Sequence, residues 1–149
     1  MAENWIETIE GLSVSYTASP SAEDVARFVE LSGDDYEAHT DEAFMARSQF
    51  GRRIAHGALL VGYMSAAGTK AIRASQGRGN TTVPVSLGYD RMRFVGPVFF
   101  GDTITVTYTV TGVDAERRRS VATLEASNQD GQTVALAEHI MKWLHPDAN

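Results

Sequence analysis

Three features of the sequence predict an α+β fold in which a curved antiparallel sheet wraps one long central helix. The segment from His56 to about Ala74 is apolar on nearly all sides until Lys70, and a helix of that character has to be enclosed. Beyond residue 80 the pattern changes to a period of two. Thr103, Thr105, Thr107, Thr109 and Thr111 alternate with Ile104, Val106, Tyr108 and Val110, which gives a strand with one apolar and one hydroxylated face. The order, helices first and then a run of strands, places a sheet around the helix rather than a helix between each pair of strands.

Each element has its own signals. Val14 to Thr17 reads as an edge strand. From Pro20 to Gly33, Ser21 stands as N-cap with Asp24 three residues on, Val25, Phe28 and Val29 fall at helical spacing, and Gly33 supplies the stop. A short helix is expected after Thr40, with Asp41 and Glu42 in its first turn and Phe44 facing inward. In the long helix Gly57, Gly62, Ser65, Ala66 and Gly68 keep the surface slender, so that surrounding backbone can approach. Strands are expected over Thr81 to Asp90, Arg91 to Phe99, Arg119 to Ser127 and Thr133 to Leu144, with reversals at Asp114 to Arg118 and at Asp130-Gly131. No repeat, low-complexity tract or linker divides residues 1–149, and one domain is expected throughout.

Composition narrows the function. The 149 residues carry 13 Lys+Arg and 19 Asp+Glu, a net charge of −6, with 43% hydrophobic residues and no cysteine. A chain of this size buries roughly 68–70% of its unfolded surface. The absence of cysteine removes disulfides, thiolate metal sites and a thiol nucleophile. Net acidity with scattered arginines speaks against nucleic-acid binding. The start MAENWIETIE has no basic region followed by an apolar run, so neither a signal nor a transit peptide is expected there. The uncharged stretch Ile54 to Thr69 is too short to cross a bilayer. No membrane partner and a cytoplasmic setting are therefore expected.

Two short stretches concentrate chemistry. Asp34 and His39 lie five residues apart between two helices, close enough for a carboxylate and an imidazole to converge on one water and pass a proton. The same residues would also suit a turn Asp and a solvated loop histidine. His56-Gly57 opens the apolar helix, where the first N–H groups lack intrahelical partners and the dipole is positive, so an oxyanion is favoured there. A plain helix start with His56 as a packing residue fits that spacing equally well. No two histidines show a metal-ligand spacing, and no metal is expected.

Taken together, Ser32-Gly33-Asp34, His39-Thr40-Asp41, Phe44, Ile54-Ala55-His56-Gly57-Ala58-Leu59-Leu60 and Phe94 to Asp102 resemble the MaoC-like hydratases, the (R)-specific enoyl-CoA hydratases of hot-dog fold. The resemblance runs from about Gly11 to the last strand. It implies a single hot-dog domain and hydration of trans-2-enoyl-CoA to (R)-3-hydroxyacyl-CoA, or the reverse dehydration, in fatty acid metabolism. By the resemblance Asp34 and His39 match the catalytic pair, Gly57 the glycine whose N–H meets the thioester oxygen, and Ser65 a serine that supports the site, with His56 beside them. No cofactor is implied, coenzyme A being part of the substrate, and a homodimer or higher homo-oligomer is expected. Hydratases of this kind commonly carry Asn-Pro between the pair, where this chain has Tyr36-Glu37. That change removes a fixed φ and an amide donor. Gly101-Asp102 is expected as a tight turn, and Arg117-Arg118-Arg119 as a solvated hairpin tip. A thioesterase, or an acyl-thioester-binding subunit without turnover, are the other readings of the same architecture.

Overall fold

In the computed structural model, which describes residues 4–147, the centre is α5 (Gly57–Gly77), laid on β1 (Ser13–Ala18), β3 (Ile104–Asp114) and β4 (Arg119–Ser127). With β2 (Val83–Phe94) and β5 (Thr133–Leu144) these form one antiparallel sheet in the order β1-β3-β4-β5-β2. Leu60, Met64, Ala67 and Ala71 of α5 meet Ile104, Val106, Leu124 and Ala137 of the sheet in the main core. Removal of such side chains from water is the principal stabilisation, about 25 cal/mol per Å². The helix is enclosed on one side only. Ala58, Gly62 and Ser65 stay exposed.

The expected period-two strand is β3, with Ile104, Val106, Tyr108 and Val110 buried. Its outer hydroxyls pair across the sheet, Thr109 with Ser13 at 3.0 Å and Thr105 with Thr17 at 3.1 Å, which accounts for the threonine face. The strands over Arg119–Ser127 and Thr133–Leu144 fall where the sequence places them. So do the Gly101 and Gly131 turns, at φ 89° and 74°. At the β3–β4 reversal Asp114 accepts the Arg117 N–H and holds the Arg117 guanidinium.

Three expectations are corrected. Thr81 to Asp90 and Arg91 to Phe99 are not two strands but the single β2, whose register against β5 slips between Ser86 and Gly88 and again between Asp90 and Arg93. The second slip contains Arg91 at φ 50°, so Asp90-Arg91, which reads as a break, is a bulge. Phe44 does not face inward. In α4 (Glu42–Ala46) it is 40% exposed and Met45 is the buried side chain, because Asp41 lies outside the helix as its N-cap, accepting the Phe44 N–H at 2.9 Å, and so shifts the inward face by one residue. The stretch holding His39 is also not a loop but a helical turn, α3 (Glu37–Thr40). A further helix, α1 (Trp5–Ile9), stacks Trp5 on Trp143 at 6.0 Å and closes the far end of the core.

Candidate active site

Local structure delivers the carboxylate first. The helix α2 (Ala22–Ser32) is closed at its start by a reciprocal capping box between Ser21 and Asp24 and stopped by Gly33 in the left-handed region at φ 81°. The chain then turns at Asp34, whose N–H donates to Ser32 Oγ at 3.1 Å and whose Oδ1 accepts the Tyr36 N–H at 3.4 Å. That local bonding does what a proline in this interval would do, and it leaves the exposed carboxylate aimed by backbone rather than by a fixed φ.

Two histidines meet that carboxylate from different elements. His39, on α3, donates through Nδ1 to the carbonyl of Ile54 at 2.8 Å. His56, the residue before α5, donates through Nε2 to the carbonyl of Asp34 at 2.9 Å. A carbonyl oxygen only accepts, so both tautomers are fixed, and each neutral ring keeps a lone pair on its other nitrogen. The rings are stacked at 3.7 Å between centroids. One donor atom each from Asp34, His39 and His56 lie within 4.8 Å of one another. His56 is buried, and its Nδ1 is the one buried side-chain polar atom without a partner among the described residues. Burial, with a smaller contribution from the neighbouring His39, lowers its pKa despite the bond to Asp34. The ring therefore stays neutral near pH 7 and adds no charge beside His39.

The third component is the tip of α5. Among the described residues no side chain caps its N-terminus, and although the Leu59 N–H bonds the His56 carbonyl at 3.1 Å, the positive end of the dipole lies beside His56. The sequence explains Gly57 by ligand access, and the structure gives a second reason. A Cβ at this position would lie 2.7 Å from the Phe94 ring, so Phe94, itself 52% exposed, sits on the glycine.

Asp34, His39, His56 and Gly57 are thus brought together. Ser65 is not in that cluster: it lies two turns further along α5 and is exposed. The aromatic surroundings were missed in the sequence. Phe28 of α2 lies 4.7 Å from the His56 ring, and Tyr36 meets His39 edge-on at 6.1 Å. Phe28 also lines, with Leu59 and Tyr63, a groove of about 370 Å³ between α2 and α5. The helical spacing of Phe28 with Val25 was the available signal, but it reads as core. By spacing alone these three side chains are also close enough to hold a metal ion between them.

Residues 3–131 match the MaoC like domain. The chain belongs to the MaoC-like family. It is 39% identical over 110 residues to an (R)-specific enoyl-CoA hydratase of Rhodospirillum rubrum, covering 73% of this chain and 70% of that protein. Against a 3-hydroxybutyryl-CoA dehydratase of Methylorubrum extorquens the identity is 36% over 117 residues, covering 78% of this MaoC-like chain and 69% of the relative. In three dimensions it is similar to an R-hydratase of Pseudomonas aeruginosa solved without ligand, with a TM-score of 0.78 and 29% identity over 95% of this chain and 85% of the other. The fold is the hot-dog fold of those hydratases.

Proposed function

We propose that this MaoC-like chain is a hydro-lyase that adds water to trans-2-enoyl-CoA to give (R)-3-hydroxyacyl-CoA, and catalyses the reverse dehydration. The observation that carries the reading is the meeting of three groups: the exposed carboxylate of Asp34, the ring of His39, whose Nδ1 is held by the Ile54 carbonyl, and the start of α5 beside His56. The named activities of the relatives support the same chemistry.

The mechanism follows from these valences. Asp34 and His39 both present acceptors, so a water between them donates one hydrogen bond to each and turns an oxygen lone pair outward. As that oxygen bonds to the β-carbon, one acceptor takes the proton, and the π electrons shift to the thioester oxygen as an enolate. The proton then goes to the α-carbon, so that one water has been added and nothing is oxidised or reduced. The Gly57 N–H and the helix dipole stabilise the enolate oxygen, and removal of one such donor commonly costs about 10²–10³ in rate. The reaction requires no resident metal or redox cofactor in this reading.

Measurement of the 2-enoyl chromophore together with free thiol tests it. Loss of the conjugated absorbance without thiol release is expected, whereas thiol release with the double bond retained would make the chain a thioesterase. We also propose a cytoplasmic setting, which a coenzyme A thioester substrate would suit.

We further propose that two copies pair along β2. That strand is a sheet edge, and Val83, Val85 and Leu87 stand exposed on it beside Leu144 of β5. An apolar edge of this kind is an association surface unless covered. Sedimentation is expected to give at least twice the 16.2 kDa chain mass, and Val85→Lys to shift it toward the monomer.

A further inference from the structure

One residue touches all three parts of the site. His56 precedes α5 and is covalently joined to Gly57, its Nε2 donates to the Asp34 carbonyl at 2.9 Å, and its ring stacks on His39 at 3.7 Å between centroids. The ring is 1% exposed, so a substrate does not reach it. The segment that carries it is itself anchored. The Ile54 N–H donates to the Ala38 carbonyl at 3.1 Å and the Ala55 N–H to the Val98 carbonyl at 2.7 Å, while Phe28 of α2 packs on the His56 ring at 4.7 Å.

What His56 leaves unused matters as much as what it uses. The other buried histidine of the fold, His139, has both nitrogens engaged, Nδ1 with the Tyr108 hydroxyl and Nε2 with Ser86 Oγ, each at 2.7 Å. The His56 Nδ1 has no partner among the described residues, so a proton placed on it would be a buried donor with nothing to receive it. Among the described residues the titratable groups acting on the ring are Asp34 and His39. A second cation stacked on His39 would oppose the proton that His39 takes up in turnover, and this arrangement prevents it. The two contacts also divide the work of orientation. The bond from His39 to Ile54 fixes which of its nitrogens is open, the stacked face fixes the plane in which that lone pair points, and the bond to the Asp34 carbonyl ties the turn that carries the carboxylate to the start of α5.

We propose that His56 is a positioning residue that, staying neutral, sets the Asp34 carboxylate and the His39 lone pair relative to the Gly57 N–H without touching substrate. The inference rests on the hydratase reading, which makes those three the reacting groups. Its effect is geometric, and a misplacement of about 1 Å in such a constellation costs about 10²-fold in rate.

Two variants separate the two contacts. His56→Gln keeps a side-chain N–H for the Asp34 carbonyl and loses the stacked ring, whereas His56→Phe keeps a ring and loses the donor. With crotonyl-CoA each is expected to lower kcat by about 10- to 10²-fold while KM changes by less than about threefold, with urea unfolding reporting the folded fraction. Because His56 acts through the pair, His56→Gln added to His39→Ala should cost little beyond His39→Ala alone. Wild-type kcat in either folded variant, a raised KM with kcat kept, or full additivity with His39→Ala would overturn the proposal. Long-range ¹H–¹⁵N spectra of the wild-type chain need neither a folded variant nor turnover. They should show His56 as the neutral Nε2–H tautomer and keep it so while His39 titrates, and a His56 that takes up a proton together with His39 would overturn the neutral role. Absence of hydration in wild type would sink the hydratase reading and the positioning with it, whereas hydration by a chain whose His56 is protonated would sink the positioning alone.

Discussion

The two histidine clusters on α5 differ in how their hydrogen-bonding capacity is used. At the tip, His39 and His56 each spend one nitrogen on a backbone carbonyl and leave the other open, beside an exposed carboxylate and an uncapped helix end. Beside the middle of the helix, His139 spends both nitrogens on hydroxyls and stacks under Tyr89. An imidazole with a spare lone pair can take a proton from a substrate water, whereas one with both nitrogens bonded only holds its neighbours in place. The same residue type therefore makes a reactive end and a fixed side around one helix.

The largest expected contrast is catalytic. Asp34→Asn and His39→Ala should each lower crotonyl-CoA hydration by about 10²–10⁴-fold with thermal unfolding little changed; near-normal turnover in either variant would break the assignment of the tip. Gly57→Ala should follow, with a loss of about 10²-fold as the methyl crowds Phe94 and the oxygen's approach to the N–H; an unaltered rate would remove the helix tip from the mechanism.

For His139 the expected effect is on stability. Burial pushes its pKa from 6.5 down to about 4, so the folded ring binds a proton only at acid pH while the unfolded ring binds one near 6.5. The stabilisation is complete above pH 6.5 and is lost as pH falls toward 4, amounting to about 3 kcal/mol. Burial lowers the His56 pKa as well, with the same sign. Urea unfolding between pH 7 and 4 should show the slope, and His139→Leu should flatten it while costing about 1–3 kcal/mol at pH 7 through the orphaned Tyr108 hydroxyl. A variant with the wild-type slope would show that His139 is not the acid-sensitive group. The smallest change sharpens the picture further: Ser86→Ala, which removes one of the two bonds to His139, should cost about 1 kcal/mol in the same measurement.

Much of the fold was legible because its signals are local. The Ser21–Asp24 box and Gly33 bound α2, the threonine alternation marks β3, and Asp130-Gly131 turns β4 into β5. What misled was also local. Asp90-Arg91 has the composition of a turn, yet pairing with β5 carries the strand through it as a bulge, and one residue of ambiguity at the Asp41 cap exchanged Phe44 for Met45. At the site, the Asp34–His39 spacing and the His56-Gly57 helix start were readable. The aromatic rings and the free valences were not, since they depend on carbonyls fifteen and twenty-two residues away in sequence.

The order of residues alone determined the bounds of α2, the alternation of β3 and the set of groups able to move a proton, because capping, periodicity and side-chain chemistry act over a few residues. Tertiary structure decided which nitrogen of each histidine at the site is free, why residue 57 carries no side chain, and that Ser65 stands apart from the Asp34, His39 and His56 cluster. Those outcomes depend on partners that become neighbours only when the sheet closes on α5, and no spacing along the chain encodes that distance.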